Sequence, residues 1–166
     1  MKFDLHTFLR KYAAKKSDPF AASKFLETFP LGSKAHKQEL QDIIDMKIES
    51  KDSNDLDLYL SLAWRDGLDE SYKPIFKQLV LATWHDYHED IVDYIRDLKD
   101  ESFVEDLYKI ATTEFPYRKY DDENESTLRK CVHAFKELNS TLSLEKIRLL
   151  EATENMNVKY VLEMYH

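Results

Sequence analysis

Apolar residues recur at the three-and-four spacing of an α-helix along almost the whole chain. That periodicity constrains the fold more than any single residue does. Leu5, Phe8, Leu9, Tyr12 and Ala13 form the first stripe. Asp18-Pro19 reads as a cap followed by proline at the first helical position, ahead of Phe20, Ala21, Phe25 and Leu26, and Pro30 with Gly32 ends that segment. Ser33 is placed to cap a third helix carrying Leu40, Ile43, Ile44 and Ile48. Asn54 begins a fourth, with Tyr59, Leu60, Leu62, Ala63 and Trp64 before Gly67. Asp69 starts a fifth with Tyr72, Ile75, Phe76, Leu79 and Val80, which confines Pro74 to its first turn. Five further stripes are Ile91-Val92-Ile95-Leu98, Val104-Leu107-Tyr108-Ile110, Leu128-Cys131-Val132-Phe135-Leu138, Leu144-Ile147-Leu149-Leu150 and Val158-Val161-Leu162-Tyr165. No alternating segment is long enough to read as a strand. The spacing predicts an all-α fold of about ten helices. With glycine only at positions 32 and 67, there is no Gly-rich phosphate loop, and few hairpin turns are possible.

The second half repeats itself. A shift of 40 residues superposes Val92 on Val132, Ile95 on Phe135 and Leu98 on Leu138, then Val104 on Leu144, Leu107 on Ile147 and Ile110 on Leu150. A period near 40 is that of HEAT and armadillo repeats, in which one helical hairpin cannot bury its apolar face alone and so stacks on the next. The expected architecture is therefore a single domain over 1–166. It comprises a divergent N-terminal helical cap over 1–51 and antiparallel hairpins stacked as a HEAT/armadillo-like α-solenoid over 52–166.

Charge is unevenly spread. The chain holds 32 acids and 24 bases, a net charge of −8. Residues 1–51 hold 10 bases and 7 acids, a net of +3, while residues 52–166 hold 14 bases and 25 acids, a net of −11. Within 86–106 stand 9 acids against Arg96 and Lys99, and Asp121, Asp122, Glu123 and Glu125 form a second cluster. In stacked hairpins equivalent turns line up on one edge, so these acids can form one surface facing a basic partner. They can equally be solvated helix faces, with acids favoured at helix N-termini. A chain this acidic is a poor fit to nucleic acid, whose phosphates need a basic face.

Cys131 is the only cysteine, the N-terminus is broken by Arg10, Lys11, Lys15 and Lys16, and no apolar run reaches membrane-spanning length. A cytoplasmic protein without membrane contact is expected.

The densest polar cluster is Trp84-His85-Asp86-Tyr87-His88-Glu89-Asp90. Its histidines are three apart and Asp86 follows the first, whereas a zincin places them four apart with glutamate after the first. A turn built from caps and aromatic contacts accounts for it better than a metal site. Cys131 sits on an apolar stripe, as a buried thiol does, and His133 is two residues away on another helix face. No catalytic residue, metal ligand or cofactor site is expected, and the chain does not read as an enzyme. The loop Phe115-Pro116-Tyr117-Arg118-Lys119-Tyr120-Asp121-Asp122 sets two tyrosines between charges, the composition of an interface hot spot. The same tyrosines could pack back on neighbouring helices.

The segment Trp84-His85-Asp86-Tyr87-His88-Glu89-Asp90-Ile91-Val92 resembles the tryptophan–histidine–x–x–histidine–glutamate–aspartate segment of small bacterial HEAT-like proteins. Leu98-Lys99-Asp100 and Leu107-Tyr108, then Pro116-Tyr117, Tyr120, Asp121 and Asp122, then Lys130-Cys131 agree with the same family in order. The match covers roughly residues 56–166. Phe135 stands where the family has a tryptophan or alanine pair, and residues 1–50 carry no such match. The resemblance implies an immunity protein of a polymorphic toxin or contact-dependent growth inhibition system. Such a protein binds and neutralises a cognate toxin domain, here a basic nuclease covered by an acidic face.

On this reading the partner-binding residues are Trp84, His85, Tyr87, His88, Glu89, Asp90, Tyr117, Tyr120, Asp121, Asp122 and Glu123. The free protein is expected to be monomeric, and the toxin complex one-to-one. A HEAT-like adaptor or assembly factor for another cellular protein is the alternative. An enzyme on a HEAT-like scaffold, such as a DNA glycosylase, would need a basic concave face, against the −11 of residues 52–166.

Overall fold

The computed structural model describes residues 3–114 and 123–165, with residues 123 and 124 described as helix backbone only. Among the described residues it is all-α: α1 (Leu5–Ala13), α2 (Pro19–Leu26), α3 (Lys37–Ser50), α4 (Leu56–Gly67), α5 (Lys73–Leu79), α6 (His88–Leu98), α7 (Val104–Thr112), α8 (Glu123–Leu138), α9 (Thr141–Glu151) and α10 (Met156–Glu163). None of these helices is long and apolar enough to cross a membrane.

Local chemistry accounts for most helix starts. The Asp4 carboxylate accepts from the His6 N–H, that of Asp18 accepts from the Ala21 N–H, and Pro19 sits in the first turn of α2. Asp69 and Asp100 each cap a single 3₁₀ turn that leads directly into α5 or α7, and Pro74 lies at the start of α5. Ser140 opens α9 with a reciprocal capping box to Ser143. The preceding helices α6 and α8 end on Lys99 and Asn139, both left-handed, with φ of 51° and 49°. A left-handed residue followed directly by a capping residue thus recurs 40 residues apart, and Glu154 before the Asn155 cap of α10 repeats it a third time.

Two starts differ from expectation. Ser33 does not cap α3; its hydroxyl donates to the buried carboxylate of Asp66, which also accepts from the His36 N–H at 3.1 Å. A buried carboxylate needs donors, and Asp66 at the end of α4 draws them from the 33–36 segment. The same segment is tied by Gly32 N–H to Arg65 O and Lys34 N–H to Asp66 O. It crosses beside Gly67, whose φ of +114° suits glycine, and the Lys34 side chain would touch any Cβ added there. Asn54 does not open α4 either. It binds the Asp52 carboxylate, and α4 begins at Leu56 after a left-handed Asp55.

Two apolar clusters form the interior. The smaller joins Leu5, Phe8, Phe29, Leu40, Leu58 and Leu62, with Phe3 and Phe25 packed on it. The larger runs from Ile44 to Leu162. α3 and α4 serve both: Leu58 and Leu62 face the first cluster, while Leu56, Leu60 and Ala63 face the second. This two-sided burial explains why α4 carries leucine at every second position from 56 to 62 rather than along one stripe.

Polar contacts join each helix to the one two places along the chain. Lys37 reaches Asp69 at 2.9 Å, Lys73 reaches Asp100 at 2.8 Å, Lys77 reaches Asp106 at 2.5 Å, and Lys146 reaches Glu105 at 2.7 Å. These link α3, α5, α7 and α9 and the 3₁₀ turns before α5 and α7. The Trp64 indole N–H donates to Asp97 at 2.8 Å, Lys130 bridges Glu89 and Asp93 at 3.0 and 2.5 Å, and Arg129 donates to Asn157 at 2.7 Å. These link α4, α6, α8 and α10.

Candidate functional site

The turn from α5 into α6 is built by its two histidines. The His85 Nε2–H donates to the Leu79 carbonyl at 2.9 Å, and its Nδ1 accepts from the Tyr87 N–H at 3.2 Å, which needs the tautomer protonated on Nε2. The His88 Nε2–H donates to the Ala82 carbonyl at 2.8 Å. The two rings lie 4.5 Å apart, with Trp84 edge-on to His85 at 5.0 Å and Tyr87 stacked on it at 6.1 Å. His85 and His88, expected at the partner surface, are therefore buried fasteners, of the Leu79 carbonyl that ends α5 and of the Ala82 carbonyl in the turn after it. Both Nε2 atoms are occupied by backbone. Among the described residues no three His, Cys, Asp or Glu side chains are grouped to hold a metal ion.

The other expected residues of this segment do reach solvent. Trp84, Tyr87 and Glu89 are half-buried and Asp90 is exposed. The Tyr87 hydroxyl donates to the Ser53 carbonyl at 3.3 Å, which fastens the turn to the connection before α4. Tyr117, Tyr120, Asp121 and Asp122 lie outside the described residues. Of Glu123 only its position as the first residue of α8 is described.

Six of the nine acids of 86–106 hold a partner on a neighbouring element. Asp93, Asp100, Glu105 and Asp106 are ion-paired to lysine or arginine on neighbouring elements, Asp97 holds the Trp64 indole, and Glu89 holds both Lys130 and the Ser126 hydroxyl. These are links between helices. Burial pushes Lys130 down, but its hydrogen bonds to Asp93 and Glu89 outweigh that and hold it above the usual lysine range. Desolvation also pushes Asp100 up, and its bonds from Lys73 and Ser102 override it to about 2.

Asp57 and Asp90 behave differently. Both are exposed, and neither forms an ion pair among the described residues. Asp90 is raised above the usual carboxylate range. Crowding by the packed helices, which displaces water, is the main cause; Lys130 opposes it, and Glu89, Asp93 and Asp57 add to it. The Tyr87 phenol is likewise pushed up, first by burial and then by Asp57, Asp86, Asp55 and Asp90. Acids from the first turn of α4 and the first turn of α6 thus share one field.

This face continues along both helices. Asp57, Ser61 and Trp64 lie on one side of α4, and Asp90, Asp93 and Asp97 on one side of α6, at helical spacing. Ser61 meets the Tyr94 hydroxyl at 3.3 Å. Trp64, Arg65, Tyr94 and Asp97 line a shallow groove of about 400 Å³. Trp64 is 45 % exposed. Periodicity placed Trp64 on the apolar stripe of its helix and passed over Asp57. A tryptophan followed by charged residues was the available signal, but only the neighbouring helix brings Asp97 to the indole.

Comparison of the chain with protein-family models, with curated proteins and with solved structures finds no match to any of them.

Proposed function

We propose that this chain is an immunity protein that neutralises a basic toxin domain by covering it, with the α4–α6 face as the docking surface. The observation that carries the reading is the pair of exposed acids Asp57 and Asp90. They lie on different helices, neither is ion-paired among the described residues, Asp57 is among the charges that raise Asp90, and both are among those that raise Tyr87. Their fields favour a cation, and a basic nuclease cleft supplies several. Trp64 at the far end of the face offers the large, partly exposed aromatic surface that anchors interfaces. The contacts that join α3–α5–α7–α9 and α4–α6–α8–α10 support a HEAT-like stack of antiparallel hairpins, the architecture that presents such a face. The reading needs no catalysis, fits a cytoplasmic setting, and calls for one toxin domain per face.

The test is co-purification with the product of the adjacent gene, followed by rescue from killing. Asp57→Lys with Asp90→Lys is expected to slow association at least tenfold and to flatten its salt dependence. Unchanged affinity would remove this face from the interface. Recovery of a cellular protein in place of a toxin would favour the adaptor reading.

A further inference from the structure

Helix α10 is apolar on two opposite sides. Val158, Val161 and Leu162 are buried where it packs on α8 and α9. Met156, Tyr160 and Met164 are 71, 57 and 56 % exposed. At about 100° per residue their four-residue spacing forms one stripe, drifting only about 40° per step, on the side away from the buried valines. Three large side chains in a row form a contiguous apolar patch rather than scattered exposure.

The charge beside the stripe identifies what covers it. Lys159 and Glu163 lie on one flank, four residues apart, both exposed, and neither pairs with any described residue. They make α10 neutral within a region, 52–166, of net −11. A basic partner finds no field there, whereas repulsion between two acidic copies is weakest there. The flank is also self-complementary. When two such helices run antiparallel about a dyad near Tyr160, the flank of one meets the same flank of the other with its order reversed.

We propose that the outer face of α10 is a self-association surface on which a second copy of this chain docks antiparallel, with Lys159 of each copy meeting Glu163 of the other and the two Met156–Tyr160–Met164 stripes in contact. The dimer needs none of Asp57, Trp64 and Asp90, so it stands or falls independently of the function proposed above. The patch is confined to one short helix, and a dimer on it departs from the monomer expected of the free chain.

The experiment is sedimentation equilibrium of the whole chain over a concentration series, at low and moderate salt. The wild type is expected to show a reversible monomer–dimer equilibrium. Tyr160→Glu, which sets two like charges together at the dyad, is expected to abolish it. Lys159→Glu and Glu163→Lys are each expected to weaken self-association about tenfold by placing like charges opposite one another. Mixed with each other, these two variants are expected to form a heterodimer, and the double exchange on one chain is expected to restore self-association. Circular dichroism and melting of each variant separate loss of the dimer from loss of the fold. A wild-type chain that stays monomeric throughout, or a dimer indifferent to Tyr160→Glu, would overturn the proposal, as would failure of the mixed variants to pair. Asp57→Lys with Asp90→Lys leaves the dimer intact if the two surfaces are separate.

Discussion

The two ends of the acid-rich stretch 86–106 have similar composition and opposite roles. At its beginning, Asp90 reaches solvent and is raised first by the crowding of packed helices and then by other acids, among them Asp57 on a different helix. Towards its end, Asp100, Glu105 and Asp106 each hold a lysine from a neighbouring element. The difference teaches that an acidic run does not by itself make a binding face. Whether an acid is a link or a recognition group depends on what a residue some 30 positions away brings to it.

That comparison can be broken by substitution, and the largest effect is expected at the turn between the two classes. His88→Ala removes a fully buried ring and its bond to the Ala82 carbonyl, and should cost about 2–4 kcal/mol in chemical denaturation. If His88→Ala instead weakened partner binding at unchanged stability, the ring would be a recognition group rather than a fastener.

Next come the linking acids Asp69 and Asp100. Hydrogen bonds from Ser71 and Lys37 hold Asp69 at about 2, and bonds from Lys73 and Ser102, against opposing burial, bring Asp100 to the same value. Both titrate lower folded than unfolded, so they stabilise the fold above about pH 4, and that contribution fades as pH falls towards about 2. Asp100→Asn should therefore cost about 1–2 kcal/mol at pH 7, with the difference from wild type vanishing in acid. A constant difference across a pH series of melts would contradict the assignment.

The open acid has the reverse sign. The carboxyl of Asp90 is raised in the folded chain, so its ionised form opposes folding at neutral pH. Asp90→Asn should leave the melt unchanged or raise stability slightly, by less than about 0.5 kcal/mol, while reducing attraction for a basic partner. A clear destabilisation would move Asp90 into the linking class.

The smallest effect tests the repeated connection. Lys99 and Asn139 occupy matching left-handed positions, but asparagine tolerates that backbone better than lysine. Lys99→Gly should stabilise by up to about 1 kcal/mol and Asn139→Gly by less. Equal responses would mean that the two connections are not matched in strain.

Much of this organisation is legible in the chain. Five of the six pairs superposed by the 40-residue shift match in burial: Val92, Ile95, Leu107 and Ile110 are buried like their counterparts Val132, Phe135, Ile147 and Leu150, and Leu98 and Leu138 are both half-buried, whereas Val104 is buried and Leu144 only half-buried. A second repeat was readable but more local. Asp69-Glu70-Ser71-Tyr72 and Asp100-Glu101-Ser102-Phe103 are the same capped turn, and each ends on a fully buried aromatic ring. The 31-residue spacing of these turns differs from the 40 of the apolar pattern, which helped to hide them. The candidate face was only half legible. Glu89 and Asp90 stood out by charge, whereas Asp57 had no local signal, Trp64 had only the charges that follow it, and both joined the site because α4 lies beside α6.

The sequence by itself determined the helices, because apolar period, capping side chains and turn residues act within a few positions of one another. It determined the sign of the charge and the burial of Cys131 for the same local reason. Only the tertiary structure decided that His85 and His88 turn inward onto carbonyls, that Ser33 satisfies Asp66 rather than a helix start, and which acids meet lysines. Those outcomes depend on Coulomb and hydrogen-bond energies that fall steeply with distance, between groups that only packing brings together.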